Sequence, residues 1–187
     1  MKLSTELLKA SMGLADGKSY RTLTRHHEGI LYAFYRSLDP EQRRVRFGGA
    51  VSDDAIARHC DQINWRSTLI VAFGTAFRLD AVAVNVRIDG RRVENATVAN
   101  KDGERAVPTL LRLSAVATGD LFAAERMLVS LDGASWLLRH LREIGSAVVK
   151  DDFAEFDVAS LSAGDADAFD ERAPRARTEV RAAASCG

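Results

Sequence analysis

The stretch AVAVNVRIDGRRVENATVANKDGERAVPTLLRL, Ala81 to Leu113, changes its period once, and that change decides the fold. Up to Ile88 the apolar residues are small or β-branched, which suits a strand. Asp89-Gly90 is a strong hairpin signal, because its second residue tolerates positive φ, and RRVENATVAN reads as the returning strand. Pro108 then opens a helix, where its missing N–H costs nothing, and the helical pattern runs to about Thr118 with Gly119 as its expected end. The loop between strand and helix, Asn100 to Val107, is therefore the place where a helix N-terminus could face an anion.

Working outward, TLIVAF from Thr68 supplies a strand before this pair, so three consecutive antiparallel strands are expected. Upstream, Ser19 to Thr24 read as a strand, and Glu28 to Leu38 place Ile30, Leu31, Phe34, Tyr35 and Leu38 on one helical face. Asp39-Pro40 stops that helix and starts another, and Ser52 caps SDDAIARHCDQI. Thr5 to Met12 suit a short helix ending at Gly13. Downstream, MLVSL reads as a buried strand, Ser135 to Ile144 as a helix ending at Gly145, and AVVKDDFAEFDV as a return to strand. Beyond Ser160 the chain is acidic and then arginine-rich, with almost no large apolar residues. The expected organisation is an extension over 1–18, a domain over 19–160 and a flexible polar tail over 161–187.

Composition excludes several classes. With 187 residues, 47% of them apolar, one domain is the working assumption. Lys plus Arg equals Asp plus Glu at 26 each, so no net field draws the chain to nucleic acid or an anionic membrane. No run approaches the ~20 apolar residues of a membrane span. Cys60 and Cys186 form no metal or disulfide pattern, and MKLSTELLKASMGLADGKS lacks a signal peptide's apolar core, so a soluble protein of the reducing cytoplasm is expected.

Two further stretches carry a family resemblance. LYAFYRSLDPEQRRVRFGGAVSDDAI, Leu31 to Ile56, resembles the first helices of a bacterial subgroup of the GCN5-related N-acetyltransferases. SWLLRHLREIG, Ser135 to Gly145, resembles that superfamily's last core helix. With the meander between them the resemblance covers roughly Ser19 to Val158. It implies an α/β fold of the α+β kind: a mixed, mostly antiparallel sheet flanked by helices, whose fourth and fifth strands splay apart to admit the pantetheine arm of acetyl-CoA. It implies direct acyl transfer to an amine, here an unknown acceptor, and it admits a homodimer.

The family's phosphate loop carries glycines between the fourth strand and the next helix, because glycine lets amide groups approach an anion closely. Aligned on Leu110-Leu111, those positions fall on Arg105 and Val107, and only Gly103 survives nearby. Val107 is β-branched and Pro108 has no N–H. Two lost charge-assisted bonds of roughly 1.5–3 kcal/mol each would weaken binding by ~10²-fold or more. Lys101 and Arg105 offer side-chain charge instead, unless both are simply solvated. The loop is thus a remnant or a divergent version of a phosphate cradle. On the resemblance, the cofactor-binding candidates are Thr97, Val98 and Ala99 on the strand and Lys101, Asp102, Gly103, Glu104, Arg105, Ala106 and Val107 in the loop.

Glu94 is the only carboxylate in RRVENATVAN and the candidate general base that strips a proton from an incoming ammonium; a solvated strand-end glutamate is the competing reading. The family's thiolate-protonating tyrosine and its helix-start asparagine correspond to Leu141 and Ala134, so neither role carries over, and His140 reads as a packing residue. His26-His27 lack a companion carboxylate pair at ligand spacing, His59-Cys60 diverge as neighbours on a helix, and no metal is expected. Trp65 and Trp136 read as core or interface residues, and no P-loop, dinucleotide fingerprint or nucleophile elbow is present. Two readings remain: an acetyl-CoA-dependent N-acyltransferase, or an inactive domain that keeps the fold as a binding or regulatory module.

Overall fold

The computed structural model describes residues 10, 14, 17–131, 137, 141, 148–150 and 152–163. Strand β1 (Ser19–Leu23) leads through a single 3-10 turn, Arg25–His27, into helices α1 (Glu28–Ser37), α2 (Pro40–Phe47) and α3 (Asp53–Asp61). Strands β2 (Thr68–Gly74), β3 (Leu79–Arg87) and β4 (Arg92–Ala99) follow. A second 3-10 turn, Glu104–Ala106, opens α4 (Val107–Phe122), and β5 (Arg126–Ser130), β6 (Val148–Lys150), β7 (Phe153–Asp157) and α5 (Val158–Ala163) complete the described elements. The caps read from the sequence are present: Asp39 Oδ1 accepts from the Gln42 N–H at 2.8 Å, and Ser52 Oγ accepts from the Ala55 N–H at 3.2 Å. Each cap of this kind is worth about 1 kcal/mol.

The seven strands form one sheet in the order β1-β2-β3-β4-β5-β7-β6, antiparallel throughout except for the parallel β4–β5 pair. Alternation along β2 sends Leu69, Val71 and Phe73 to one face, where they pack with Leu110, Leu111 and Ala117 of α4. Ile70 and Ala72 point the other way, against Leu31, Phe34 and Tyr35 of α1 and Ile56 of α3. Burial on both faces explains why TLIVAF is an unbroken apolar run.

Three expectations are corrected. Helix α4 does not end at Gly119 but continues to Phe122, and the chain leaves it through Ala123 at φ +51°. A Cβ at Gly119 would lie 3.3 Å from Val158 Cγ1, so the glycine there serves the close approach of α5 and not helix termination. AVVKDDFAEFDV forms two paired strands, β6 and β7, with Asp152 in the turn, where its carbonyl accepts the Leu131 N–H at 2.7 Å. The ordered fold also passes Ser160, because α5 runs to Ala163 and buries Leu161 in the α4-side core. The helices expected over 5–12 and 135–144 lie outside the described residues apart from Ala10, Leu137 and Leu141, each helical and buried, and so do Trp136, His140 and residues 164–187.

Among the described residues one charge is fully buried. Asp80, at the start of β3, is fully buried between the Lys18 ammonium at 3.0 Å and the Arg78 guanidinium at 3.1 Å, with the Asn100 amide at 3.4 Å. A buried carboxylate persists only when paired in this way. The cluster ties the entry to β1, the β2–β3 turn and the β4–α4 loop to one point.

Candidate active site

Two backbone bonds establish which peptide groups of β4 face β3: the Asn100 N–H donates to the Asp80 carbonyl at 2.9 Å, and the Ile88 N–H donates to the Arg92 carbonyl at 3.0 Å. In an antiparallel ladder such pairs alternate, so the peptide groups of Val93, Asn95, Thr97 and Ala99 point away from β3. Strand β5 meets the first two. The last parallel pair is Asn95 with Val129, and β5 ends one residue later at Ser130 while β4 continues to Ala99. The pairing of the two central strands ends there, and the peptide groups of Thr97 and Ala99 face the opening that this leaves among the described residues. One of them is taken: the Ala99 carbonyl accepts from Gln42 Nε2 of α2 at 2.9 Å.

The loop at the upper end of this opening is tight. The Gly103 N–H donates to the Asn100 carbonyl at 2.9 Å and to its side-chain oxygen at 3.0 Å, and the Ala106 N–H donates to the Gly103 carbonyl at 2.9 Å. The first N–H groups of the 3-10 turn, on Glu104 and Arg105, have no partner within the turn. Lys101, Asp102, Glu104 and Arg105 are exposed, and Asp102 is held by Arg78 at 3.1 Å. Ala106 and Val107 are buried with the α4 core and do not line the loop surface. Gly103 is buried as well, and a Cβ on it would meet the Asp80 carbonyl oxygen at 2.0 Å. Its glycine is required by the packing of the loop on β3. The loop can therefore hold a diphosphate through the amides of Glu104 and Arg105 and the cations Lys101 and Arg105, but not through a glycine cradle.

Glu94 lies on the other face of β4 from the loop's helix, the face that carries Val98. Helices α1 and α3 cover that face over β2 and β3, but around Glu94 it is open: Val86 opposite it is 40% exposed, and Leu128 beside it on β5 is half-buried. The carboxylate is exposed one residue before the strands part. Thr97 is half-buried on the α4 face, Val98 packs into the core under α1, and Ala99 is buried on the α4 side. The candidates thus divide into a strand set at the opening, a loop set at its end and Glu94 at its base.

Other candidates take structural roles. His27 Nδ1 accepts the Thr24 N–H at 3.1 Å, closing the turn before α1. Cys60 is buried under α1, and burial pushes its thiol up to about 11, which leaves it without thiolate character at neutral pH. His59 stacks edge-on against Tyr35 and Phe47 with Arg46 Nη2 at 3.4 Å from its Nε2; burial, then the guanidinium, lower its pKa. Among the described residues no His, Cys, Asp and Glu group could hold a metal ion, and no helix is long and apolar enough to cross a membrane. Sequence reasoning missed Gln42 and the buried amides Asn85 and Asn95. The latter carried a signal: both interrupt apolar strands at equal distance from Gly90, so the hairpin pairs them.

No family model and no curated protein sequence matches the chain. Solved structures do. The GNAT domain of S. lividans PAT superposes with a TM-score of 0.60 at 17% identity, over 75% of this chain and 90% of that one. Spermidine N-acetyltransferase from Vibrio cholerae, in complex with CoA and spermine, gives 0.53 at 9% identity over 78% and 98%. An acetyltransferase of the GNAT family from Bacillus anthracis gives 0.54 at 10% identity over 76% and 93%. The sheet order, its one parallel central pair and the parting of β4 from β5 agree with that likeness: the chain has the fold of the GCN5-related N-acetyltransferases.

Proposed function

We propose that this chain is an acyltransferase that moves an acetyl group from acetyl-CoA to an amine. The observation that carries the reading is the opening past the Asn95–Val129 pair, where, among the described residues, the Thr97 peptide and the Ala99 N–H have no strand partner. An extended amide-bearing arm meets such an edge as an added strand would. The Glu104 and Arg105 amides with the Lys101 and Arg105 side chains supply the cationic end, and Asp102 is neutralised by Arg78. The bound cofactor contributes an acyl group already activated as a thioester. Glu94, at the base of the opening on the uncovered face, removes the proton that an ammonium acceptor must lose before its nitrogen can attack. The same reading places the protein in a reducing cytoplasm, with a transferring domain that includes Lys18 and runs to Ala163.

A second reading, a non-catalytic module, is favoured by the loop itself: Ala106 and Val107 turn into the core, Pro108 offers no N–H and Gln42 occupies the Ala99 carbonyl. Titration with acetyl-CoA decides between them. A ligand bound only by the folded state at 100 times its Kd stabilises by about 2.7 kcal/mol, so the transferase reading expects a calorimetric isotherm and a raised Tm. Absence of both at millimolar acetyl-CoA leaves the module.

A further inference from the structure

A chain of buried amides ends at the opening, and its hydrogen-bond polarity can be read from one end to the other. Asn85, fully buried in β3, places its Nδ2 3.1 Å from the Leu69 carbonyl, 3.3 Å from the Ala83 carbonyl and 3.2 Å from the Ser114 hydroxyl of α4. Carbonyl oxygens only accept, so the nitrogen end of Asn85 must face them. Its Oδ1 is then the end that faces Asn95, 2.7 Å from that residue's Nδ2. Asn95, also fully buried, is left with Oδ1 toward the Thr97 hydroxyl at 2.8 Å. An amide oxygen cannot donate, so the Thr97 proton points inward. The hydroxyl keeps lone pairs and no proton for anything that enters beside it.

Thr97 is half-buried, its peptide group faces the opening and β5 has ended beside it. We propose that Asn85 and Asn95 act as positioning residues that hold the Thr97 hydroxyl as an obligate acceptor for an amide N–H of the pantetheine arm. This rests on the reading of the opening as an acyl-CoA site. It assigns Thr97 a binding role and excludes it as the acid that protonates a departing thiolate, since its proton is committed to Asn95. Asn95 is both the last residue paired with β5 and the anchor of this hydroxyl, so the end of the pairing and the polarity of the site meet at one residue.

Acetyl-CoA is titrated calorimetrically into the wild type and the Thr97→Ser, Thr97→Val and Thr97→Ala variants, with the Tm of each recorded. Serine keeps the hydroxyl and is expected to bind within twofold of the wild type. Valine keeps the shape without the acceptor and is expected to bind about tenfold more weakly, which corresponds to ~1.4 kcal/mol. Alanine gives the same loss and serves as the measurement if the valine variant does not fold. Wild-type affinity in the valine and alanine variants overturns this inference while leaving the acyl-CoA site intact, and so does an equal loss in the serine variant. A wild type that takes up no acetyl-CoA overturns both.

Discussion

Replacing Gly103 by alanine adds one carbon at a point where the backbone conformation, φ −99° and ψ −12°, suits any residue. Any effect must therefore come from contact. The new Cβ would lie 2.0 Å from the Asp80 carbonyl oxygen, 2.4 Å from its carbon and 3.0 Å from Ala81 Cβ. Non-bonded heavy atoms settle near 3.5 Å, so loop and strand must separate by more than about 1 Å. Two of the nearest contacts are backbone atoms of β3 and cannot rotate away. The separation strains the bond from the Asn100 N–H to that same carbonyl, 2.9 Å, and the pair from the Gly103 N–H to Asn100. Losing two net bonds at 0.5–1.5 kcal/mol each, with overpacking of 1–3 kcal/mol, gives a destabilisation of roughly 2–6 kcal/mol. At 2–4 °C per kcal/mol for a chain of this size, Tm should fall by about 4–24 °C. Gly119→Ala is the control: its Cβ meets only the tip of Val158 at 3.3 Å, and the gain in helix propensity of about 1 kcal/mol offsets that contact. Thermal melts of both variants by circular dichroism test the reasoning. A Gly103→Ala protein melting within 2 °C of the wild type, or a control that loses as much, would refute it.

Glu94→Gln is expected to lower amine acetylation about 10²-fold or more while the calorimetric Kd for acetyl-CoA stays the same; an unchanged rate removes Glu94 as the base. Arg105→Ala should weaken acetyl-CoA roughly three- to tenfold, with the difference shrinking at high salt, and a salt-independent Kd in both proteins would show that the guanidinium stays in solvent. His59 gives a pH dependence. Its pKa is lowered in the fold, by burial and then by Arg46, below the 6.5 of an ordinary histidine. The unfolded chain therefore takes up its proton first, and this contribution to stability, complete above 6.5, is lost as pH falls through 6.5 toward the lower folded value. Urea melts between pH 7.5 and 5.5 should show that loss in the wild type and a flatter slope in His59→Gln; parallel slopes contradict the assignment.

The strands and their caps were legible because their signals are local. Asp39 and Ser52 bond to the residues that follow them, and in the turn between β3 and β4 Asp89 Oδ1 accepts the N–H groups of Arg91 and Arg92 at 2.8 and 2.9 Å. What escaped depends on partners distant in sequence. Gly119 looks like a helix end until Val158 is seen against it, and Asp152 turns the chain inside what reads as one strand. The parting of β4 from β5 was expected only from family resemblance, since nothing in NATVAN states that its neighbour stops short. The position that the family resemblance gives to a lost glycine, Val107, is filled by a side chain buried in the α4 core. Arg105→Gly is thus an interpretable variant, and Val107→Gly mainly opens a cavity.

The ion pair between Lys18 and Asp80 has a consequence for where the domain can be cut. The first strand begins at Ser19, and a trim made at that boundary would look harmless on any map of secondary structure. It would remove the cation that stands 3.0 Å from one oxygen of a carboxylate with no solvent exposure, leaving Arg78 to serve both that oxygen's neighbour and Asp102. A shortened chain would have to drag a proton or a water molecule into the interior to compensate. A cut that keeps this pair must fall upstream of the first strand, no later than a lysine whose partner lies sixty-two residues further along.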